Sequence, residues 1–248
     1  MNNLVIDIGN SLVKLAVFTD QNLVIKETWG EINLNRIRQW LSQYHIQNSI
    51  ISTVAAEVAE LEELLQNSTS YIRFSNQTEL PIQNHYQSKE TLGLDRLAAL
   101  MGARYVCPKQ NCFIIDAGTC ITYDFLNDQQ AYYGGSISPG IQMRLKALNA
   151  FTDKLPLVAL DENYTDLVGV DTRTSILSGV INGLLSEVSG MIQKYQQQYP
   201  EMQILLCGGD ANFFDTRLKN SIFAHNFSLM PHLVLIGLNE VIHHQYDQ

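Results

Sequence analysis

The sequence predicts a duplicated α/β architecture, with two similar halves and a cleft between them. Two stretches carry this prediction, "LVIDIGNSLVKLAVFT" in the first half and "FIIDAGTCITYDFL" in the second. Each has an apolar run that ends in Asp-x-Gly, then a small polar residue, then a second apolar run. Helices follow the strands in each half, and no linker rich in Pro, Gly and Ser interrupts the chain. We therefore expect two lobes, at residues 1–112 and 113–248.

In the first half, apolar runs between turn residues predict three strands, and two helices around a fourth strand follow. The turn signals are Gly9-Asn10 and Asp20-Gln21-Asn22. Polar residues around 76–90, including Pro81, predict a loop before a helix that starts near Gly93. The predicted elements are strands at 4–8, 12–19, 23–29 and 49–54, and helices at 34–44, 57–65 and from 93 onward.

The second half repeats this order, with three strands around two turns, then helices and a further strand. Pro139-Gly140 introduces a helix, and the longest helical pattern carries a broad apolar stripe. The predicted elements are strands at 113–116, 120–126, 131–138 and 203–207, and helices at 141–150, 173–195 and 234–243.

Composition restricts the class of protein. Hydrophobic residues make up 46% of the 248 residues and charged residues 17%, which is ordinary for a globular chain. The balance of 16 basic against 25 acidic residues argues against nucleic acid as a main partner, because phosphate backbones need a basic face. No apolar run approaches the roughly 20 residues that span a bilayer. The four cysteines form no C-x-x-C pair, so we expect reduced cysteines, a cytoplasmic location and no membrane partner.

The two Asp-x-Gly turns have a structural and a functional interpretation. A tight hairpin alone could use Gly9-Asn10 and Gly118-Thr119. In the functional interpretation, the small residues let backbone N–H groups and hydroxyls approach phosphate oxygens. Asp7 and Asp116 would repel a phosphate unless a cation lies between, so this interpretation predicts a metal–triphosphate clamp with Lys14 beside it. The absence of a Gly-Lys doublet excludes a Walker-type P-loop, and no G-x-G-x-x-G follows a strand.

The stretch "TLGLDRLAAL" also has two interpretations. In the simpler one, Asp95 is a first-turn acid stabilised by the helix dipole, and Arg96 is a surface charge. In the other, Asp95 is a general base toward a substrate hydroxyl, and Arg96 anchors an anion or hydroxyl. The Gly pairs in "YYGGSISPGIQMR" and "LLCGGDAN" permit close backbone approach, either in packing turns or toward a substrate or an adenine ring. The sequence leaves these alternatives open.

Together these motifs resemble the type III pantothenate kinases, a family in the acetate and sugar kinase/Hsp70/actin superfamily. Each motif alone has low specificity, but the ordered set is highly specific and runs over nearly the whole chain. The resemblance implies duplicated actin-like (ribonuclease H-like) lobes and ATP-dependent phosphorylation of pantothenate to 4'-phosphopantothenate, the first step of coenzyme A biosynthesis. The matching stretches are "DIGNSLVK", "GLDRLAA", "DAGTCITYD", "GGSISPGIQMR" with "LNAFTDKLP", "DTRTSILSG" and "CGGDA".

The resemblance also implies site residues, cofactors and an assembly. Asp95 would be the catalytic base, Asp116 would hold a monovalent cation (K⁺ or NH₄⁺), and Mg²⁺ would accompany ATP. Because family members are homodimers, a homodimer is implied here. The implied ATP-binding residues are Asp7, Ile8, Gly9, Asn10, Ser11, Leu12, Val13, Lys14 and Thr119, and the implied pantothenate-binding residues are Tyr86, Gly93, Leu94, Asp95, Arg96 and Thr172.

Two residues depart from the family pattern. Ser11 stands where Thr is common, which keeps the hydroxyl, and Asp171 stands where Asn is frequent, which leaves the local charge open. On the long helix, Gly179-x-x-x-Gly183 would let another helix come close, at a dimer interface or within the chain. Two other functions stay open: a kinase of the same superfamily with another substrate, and a non-catalytic nucleotide-binding transcriptional accessory factor.

Overall fold

The structure, a computed structural model, describes residues 1–9, 12–53, 58–218 and 227–246. The chain forms two compact units, and each unit combines segments that are distant in sequence. The predicted division into lobes at 1–112 and 113–248 stays a prediction, because the units are defined by contacts alone. The first unit contains Met1–Pro108, Gln130–Tyr132 and His232–Gln248, and the second contains Lys109–Gln129 and Tyr133–Pro231.

Strands and helices follow one another along the chain with these bounds. The strands are β1 (Asn2–Ile8), β2 (Val13–Thr19), β3 (Asn22–Trp29), β4 (Asn48–Thr53), β5 (Ser70–Arg73), β6 (Gln83–Asn84), β7 (Cys112–Ala117), β8 (Cys120–Leu126), β9 (Ala131–Pro139), β10 (Gln203–Cys207) and β11 (Phe227–Leu229). The helices are α1 (Leu34–Gln43), α2 (Ala59–Ser68), α3 (Leu94–Val106), α4 (Ile141–Ala150), α5 (Thr172–Gln198), α6 (Ala211–Leu218) and α7 (Leu233–Tyr246).

The two sheets repeat one topology, which confirms the predicted duplication. The first sheet has the strand order β3-β2-β1-β4-β5, and the second contains the run β9-β8-β7-β10-β11. In the first, β1 pairs antiparallel with β2 and parallel with β4. In the second, β7 pairs antiparallel with β8 and parallel with β10. Each Asp-x-Gly turn therefore follows a central strand of its own sheet.

The predicted strands and helices are present, with small shifts at their ends. Val54, the predicted end of the fourth strand, and Glu57, where the second helix was expected to begin, lie outside the described residues. The sequence missed β5, β11, the short β6 and the helix α6. The strands β5 and β11 lie at sheet edges and are too short to show an alternating pattern. The helix α6 covers only eight residues, which is little more than two turns.

Close packing of α7 against α3 fixes the helix that carries Asp95 and Arg96. Glycines stand where the two backbones meet. A Cβ atom at Gly237 would lie 1.7 Å from the carbonyl oxygen of Ala98, and one at Gly102 would lie 2.4 Å from that of Leu233. Any larger side chain would push the helices apart. The helix α7 also packs against β1 and β4, so α3 has a fixed place in the first unit.

The long helix α5 lies against the core of the second unit. Its buried apolar side chains join those of β7, β10, α4 and α6 in one cluster. Within the described residues, this helix is the one that is long and apolar enough to cross a membrane, by length and composition alone. This finding differs from the sequence-based expectation that no apolar run approaches the roughly 20 residues that span a bilayer. Helices in the cores of globular proteins can have the same length and composition.

Candidate active site

The first Asp-x-Gly stretch lies where β1 ends and β2 begins. The antiparallel pairing of the two strands runs up to Ile8 and Val13, and the Gly9 N–H donates to the Leu12 carbonyl at 3.1 Å. Ile8 and Val13 are buried on the flanking strands and anchor the turn in the core. Two of the predicted ATP-binding residues lie outside the described residues: Asn10 and Ser11.

Asp7, near the end of β1, is a buried carboxylate with a cation beside it. The register places it opposite Lys14 on β2 and Ser52 on β4. The Lys14 Nζ lies 3.7 Å from Asp7 Oδ2, and the Ser52 side chain hydrogen-bonds to the same carboxylate. Burial raises the pKa of Asp7, Lys14 lowers it and the Asp95 carboxylate raises it, with a net upward shift. A further cation bound here would stabilise the ionised form of Asp7.

Asp95 lies in the first turn of α3, as the simpler interpretation predicts. Gly93 precedes the helix, Leu94 opens it, and Asp95 Oδ1 accepts from the Arg96 N–H at 2.8 Å. A negative charge at this end is favoured by the helix dipole. The effect of Asp95 on the pKa of Asp7 shows that the two carboxylates also lie in one electrostatic neighbourhood.

Arg96 is not the surface charge of the simpler interpretation, because it is 95% buried in a tyrosine cradle. Its Nη2 donates to the Tyr132 hydroxyl at 2.8 Å. Its guanidinium carbon lies 5.7 Å from the ring centroid of Tyr86, within the range of a cation–π interaction. The rings of Tyr86 and Tyr132 are stacked, with centroids 6.1 Å apart. The cradle therefore holds a buried cation beside the N-terminus of α3.

The sequence pointed to Tyr86 but missed Tyr132. The two tyrosines meet because β6 pairs in parallel with the first residues of β9, Ala131 and Tyr132. The His85 N–H also donates to the Tyr132 carbonyl at 2.8 Å, which fixes the register. This pairing joins segments that are distant in sequence, and β6 has no strand signal of its own. The aromatic pair in "AYYGG" was the one available hint.

The second Asp-x-Gly turn joins β7 to β8 and is a tight connection. The Gly118 N–H donates to the Cys120 carbonyl at 2.9 Å. Asp116 is half-buried near the end of β7, and Thr119 is exposed at the turn. The Thr119 carbonyl accepts from the Gly140 N–H at 3.1 Å. The turn therefore rests on the segment that leads into α4.

One glycine of each Gly pair, Gly135 and Gly208, packs closely against backbone near this second turn. A Cβ atom at Gly135 would lie 1.9 Å from the Tyr123 carbonyl oxygen. Gly208 has φ of +95°, and a Cβ there would lie 2.2 Å from the Ala117 carbonyl oxygen and 2.5 Å from Asp116 Oδ1. Close backbone approach is thus confirmed for Gly135 and Gly208, whereas no atom of the described residues lies within 4 Å of a Cβ position at Gly209. The same contacts determine which groups surround the Asp116 carboxylate.

Thr172 is the first residue of α5 and is exposed in the second unit. Asp171 caps this helix: its side chain accepts from the Thr174 N–H at 2.7 Å, and the Thr174 hydroxyl contacts the Asp171 backbone in return. The Thr174 hydrogen bonds hold the pKa of Asp171 below its ordinary value. The charge left open by the sequence therefore has a structural use as a helix cap.

The residues described here include no group of three or more His, Cys, Asp or Glu side chains that could hold a metal ion. In nucleotide-dependent proteins, Mg²⁺ is usually bound by one or two carboxylates together with substrate phosphates. Asp7 offers one buried carboxylate near the end of β1.

The chain is similar to known proteins over almost its whole length. A family model described as type III pantothenate kinase matches residues 3–194. The type III pantothenate kinase of Phocaeicola vulgatus is 43% identical over 241 residues, which cover 97% of this chain and 97% of the relative. That of Bacteroides fragilis (strain YCH46) is 40% identical over 243 residues, which cover 98% of each chain.

Solved structures share the fold at much lower identity. A protein described as a Baf family transcriptional activator from Campylobacter jejuni has a TM-score of 0.62 at 20% identity, over 99% of this chain and 100% of that chain. A glucokinase from an Antarctic psychrotroph has a TM-score of 0.54 at 14% identity, over 98% of this chain and 99% of that chain. Likeness at these identities shows the fold alone, and it confirms the predicted fold class of the sugar kinases.

Proposed function

Since the chain belongs to the type III pantothenate kinase family, we propose which of its residues carry out the reaction of that family. The enzyme phosphorylates pantothenate with ATP and forms 4'-phosphopantothenate, the first step of coenzyme A biosynthesis. Phosphoryl transfer requires an in-line hydroxyl and stabilisation of the charge on the transferred group. Bound with ATP, Mg²⁺ neutralises part of that charge.

The first turn, with Asp7 and Lys14 at its ends, is proposed to bind the phosphates of ATP, as is Thr119 of the second turn. Lys14 supplies a positive charge beside a turn whose backbone is closed by Gly9. Its partner Asp7 is buried and has a raised pKa, so the Mg²⁺ that comes with the nucleotide would stabilise the ionised form of its carboxylate. A carboxylate and a lysine together can hold both the cation and the phosphate oxygens of one ligand.

Pantothenate is proposed to bind at the N-terminus of α3, with Arg96 and Tyr86 as its anchors. The observation that carries this assignment is the burial of the Arg96 guanidinium in the tyrosine cradle, two residues after the α3 boundary. A buried guanidinium held by aromatic rings is fixed in direction and suits a carboxylate or a hydroxyl of a small acid. Gly93, Leu94 and Thr172 complete the proposed set by resemblance to the family.

Asp95 is proposed as the base that removes the proton of the attacking hydroxyl. In a loose transition state the hydroxyl becomes acidic late, so a carboxylate can accept its proton. The bond from the Arg96 N–H directs one oxygen of Asp95 toward the helix and leaves the other for a substrate. The electrostatic coupling of Asp95 to Asp7 supports its placement beside the nucleotide turn.

Asp116 is proposed to hold the monovalent cation, K⁺ or NH₄⁺. Its carboxylate is half-buried, and Gly118 and Gly208 lie so close that a side chain on Gly208 would collide with it. A hard oxygen ligand among backbone groups fits an alkali cation. Asp116→Asn should therefore weaken activation by K⁺, and an unchanged K⁺ response would reject this assignment.

The decisive experiment is mass-spectrometric detection of phosphopantothenate from ATP, pantothenate, Mg²⁺ and K⁺. Asp95→Asn should lower kcat by about 10²–10⁴-fold, the usual range for an acid–base contribution. Glu60→Gln is the matched control, because Glu60 is a first-turn acid of another helix, α2. Equal activities of the two variants would leave Asp95 as a helix-dipole residue only.

We also propose a homodimer. No atom of the described residues lies within 4 Å of a Cβ position at Gly179, Gly183 or Gly190, so these residues of α5 stay uncovered. Packing within the described part of the chain therefore does not explain their spacing. Gly179→Leu should convert a dimeric mass to a monomeric one in light scattering, while Gly30→Leu, at an equally open position, should not. A monomeric mass for the unmodified chain would refute the proposal.

A cytoplasmic location is proposed on the chemistry of the cysteines. The four cysteines are reduced, and three of them are buried: Cys107, Cys112 and Cys207. Reduced cysteines are typical of reducing compartments. Fractionation of cells that express the chain at its natural level would test the location.

A further inference from the structure

A hydrogen-bonded cluster joins four elements of the second unit. The Glu187 network consists of Glu187 on α5, Arg144 on α4, Tyr123 on β8 and Ser138 on β9. The Tyr123 hydroxyl donates to Glu187 Oε1 at 2.9 Å, and Arg144 Nη2 donates to Glu187 Oε2 at 2.5 Å. The same Nη2 donates to the Ser138 hydroxyl at 2.7 Å. Such charge-assisted bonds are among the stronger ones in proteins.

The network also hydrogen-bonds to the backbone beside the second turn. Arg144 Nε donates to the carbonyl oxygen of Pro139 at 2.8 Å. The N–H of the same peptide unit, which belongs to Gly140, donates to the Thr119 carbonyl at 3.1 Å. Arg144 and Thr119 therefore hold one peptide plane from opposite sides. A rotation of that plane would break both bonds at once.

The Pro139–Gly140 peptide is closely packed against the second turn. A Cβ atom at Gly140 would lie 2.2 Å from the Gly118 carbonyl oxygen and 2.7 Å from that of Thr119. The turn backbone therefore follows any movement of residues 139–140. Close-packed groups of this kind transmit small displacements instead of absorbing them.

We propose that Glu187 is a positioning residue for the second nucleotide turn: it holds Arg144, Arg144 orients the Pro139–Gly140 peptide, and that peptide places Thr119. The inference rests on the proposed contact of Thr119 with ATP. Glu187 is not among the residues proposed to contact ATP or pantothenate.

The electrostatics of the cluster agree with this role. Partial burial raises the pKa of Glu187, but the hydrogen bonds from Ser138, Arg144 and Tyr123 outweigh it and lower the pKa below its ordinary value. Burial and the Glu187 bond raise the pKa of Tyr123, so its hydroxyl stays protonated and keeps donating. The cluster is thus locked in one charge state through the physiological range.

The first unit contains a cluster of the same composition, which supplies the control. Glu62 Oε1 accepts from the Tyr71 hydroxyl at 2.6 Å and from Arg73 Nη1 at 2.6 Å. These residues lie on α2 and β5, which carry no proposed site residue. Glu62→Gln removes the same kind of charge from the same kind of trio.

The test compares steady-state kinetics and thermal unfolding of Glu187→Gln and Glu62→Gln. We expect Glu187→Gln to raise KM for ATP about three- to tenfold, the range of one hydrogen bond's net contribution. KM for pantothenate should stay within about twofold, and Glu62→Gln should change neither constant. Arg144→Lys should repeat the effect, because a lysine cannot hold Glu187 and the Pro139 carbonyl together. A shared loss of Tm with no change in KM for ATP would overturn the inference.

Thr119→Ala separates this inference from the proposed function. If Thr119→Ala raises KM for ATP and Glu187→Gln does not, the positioning role of Glu187 is wrong and the nucleotide role of the turn survives. If neither variant changes KM for ATP, the positioning role of Glu187 and the nucleotide role of the turn are both wrong. If the unmodified enzyme forms no phosphopantothenate, the proposed function itself is wrong.

Discussion

Gly93→Ala separates the position of Asp95 from the stability of the fold. Gly93 has φ of −57° and ψ of 133°, angles that alanine adopts without strain. The new Cβ atom would lie 2.5 Å from Asp95 Oδ1, and its next neighbours, on the Arg96 side chain, are at 3.6 and 3.7 Å. Because an ordinary carbon–oxygen contact is about 3.4 Å, the carboxylate oxygen must move by roughly 1 Å.

The cost to stability is small, because the displaced atom is the end of a short side chain. The Arg96 N–H loses its bond to Asp95, about 1 kcal/mol. The alanine offsets about 0.4–1 kcal/mol of this by restricting the unfolded chain. Catalysis should suffer far more, since a misplacement of about 1 Å can cost about 10²-fold in rate.

The assay is kcat for phosphopantothenate formation together with Tm. Gly93→Ala should lower kcat by about 10²-fold while Tm stays within a few degrees of the unmodified chain. Gly30→Ala is the control, because no atom lies within 4 Å of its Cβ position. An unchanged kcat for Gly93→Ala would show that the observed orientation of Asp95 is not needed for the reaction.

Two further predictions concern the tyrosine cradle and the first turn. Tyr132→Phe keeps the stacked ring and removes the acceptor of the Arg96 hydrogen bond. KM for pantothenate should therefore rise about 5- to 30-fold, with KM for ATP unchanged. The same KM for pantothenate in Tyr132→Phe and the unmodified chain would contradict the role of the cradle. Asp7→Asn should lower turnover. Because burial and Asp95 outweigh Lys14 and raise the pKa of Asp7, the Asp7 contribution to the stability of the unmodified chain is lost as the pH rises from 3.8 through that raised pKa. Asparagine does not titrate, so the stability of Asp7→Asn relative to the unmodified chain should increase with pH. Denaturant unfolding at about pH 4 and about pH 7 measures the difference, and a difference that shrinks as the pH rises would contradict the reasoning.

The sequence predicts the parts of the site that are local in the chain. Asp7 and Lys14 face each other across one tight turn, and Asp95 lies at a helix start, so short spacings suffice to find them. Tyr132 depends on the parallel pairing of β6 with β9, which joins distant segments and leaves no periodic signal. The burial of Arg96 was missed for the same reason.

The fold shows the same division between local and distant information. Apolar runs and turn residues located the strands around both turns, because hairpins form between neighbours in the chain. The packing of α7 on α3 could not be predicted, because a glycine within a helix does not by itself show which backbone packs against it. Gly102 and Gly237 meet only in the folded chain, where each removes a collision with a carbonyl oxygen of the other helix.

The two Asp-x-Gly turns use one local sequence for different electrostatic surroundings. At equivalent places in the two sheets, Asp7 has Lys14 opposite it on the next strand, whereas Asp116 has Thr122. The first turn therefore carries a cation in its own sequence, and the second offers a hydroxyl where that cation would be. Oxygen atoms in that place suit a soluble cation better than a lysine would, because ammonium and alkali ions are attracted to them. This difference supports the assignment of the monovalent cation to Asp116, and it explains why duplication of the motif need not duplicate its role.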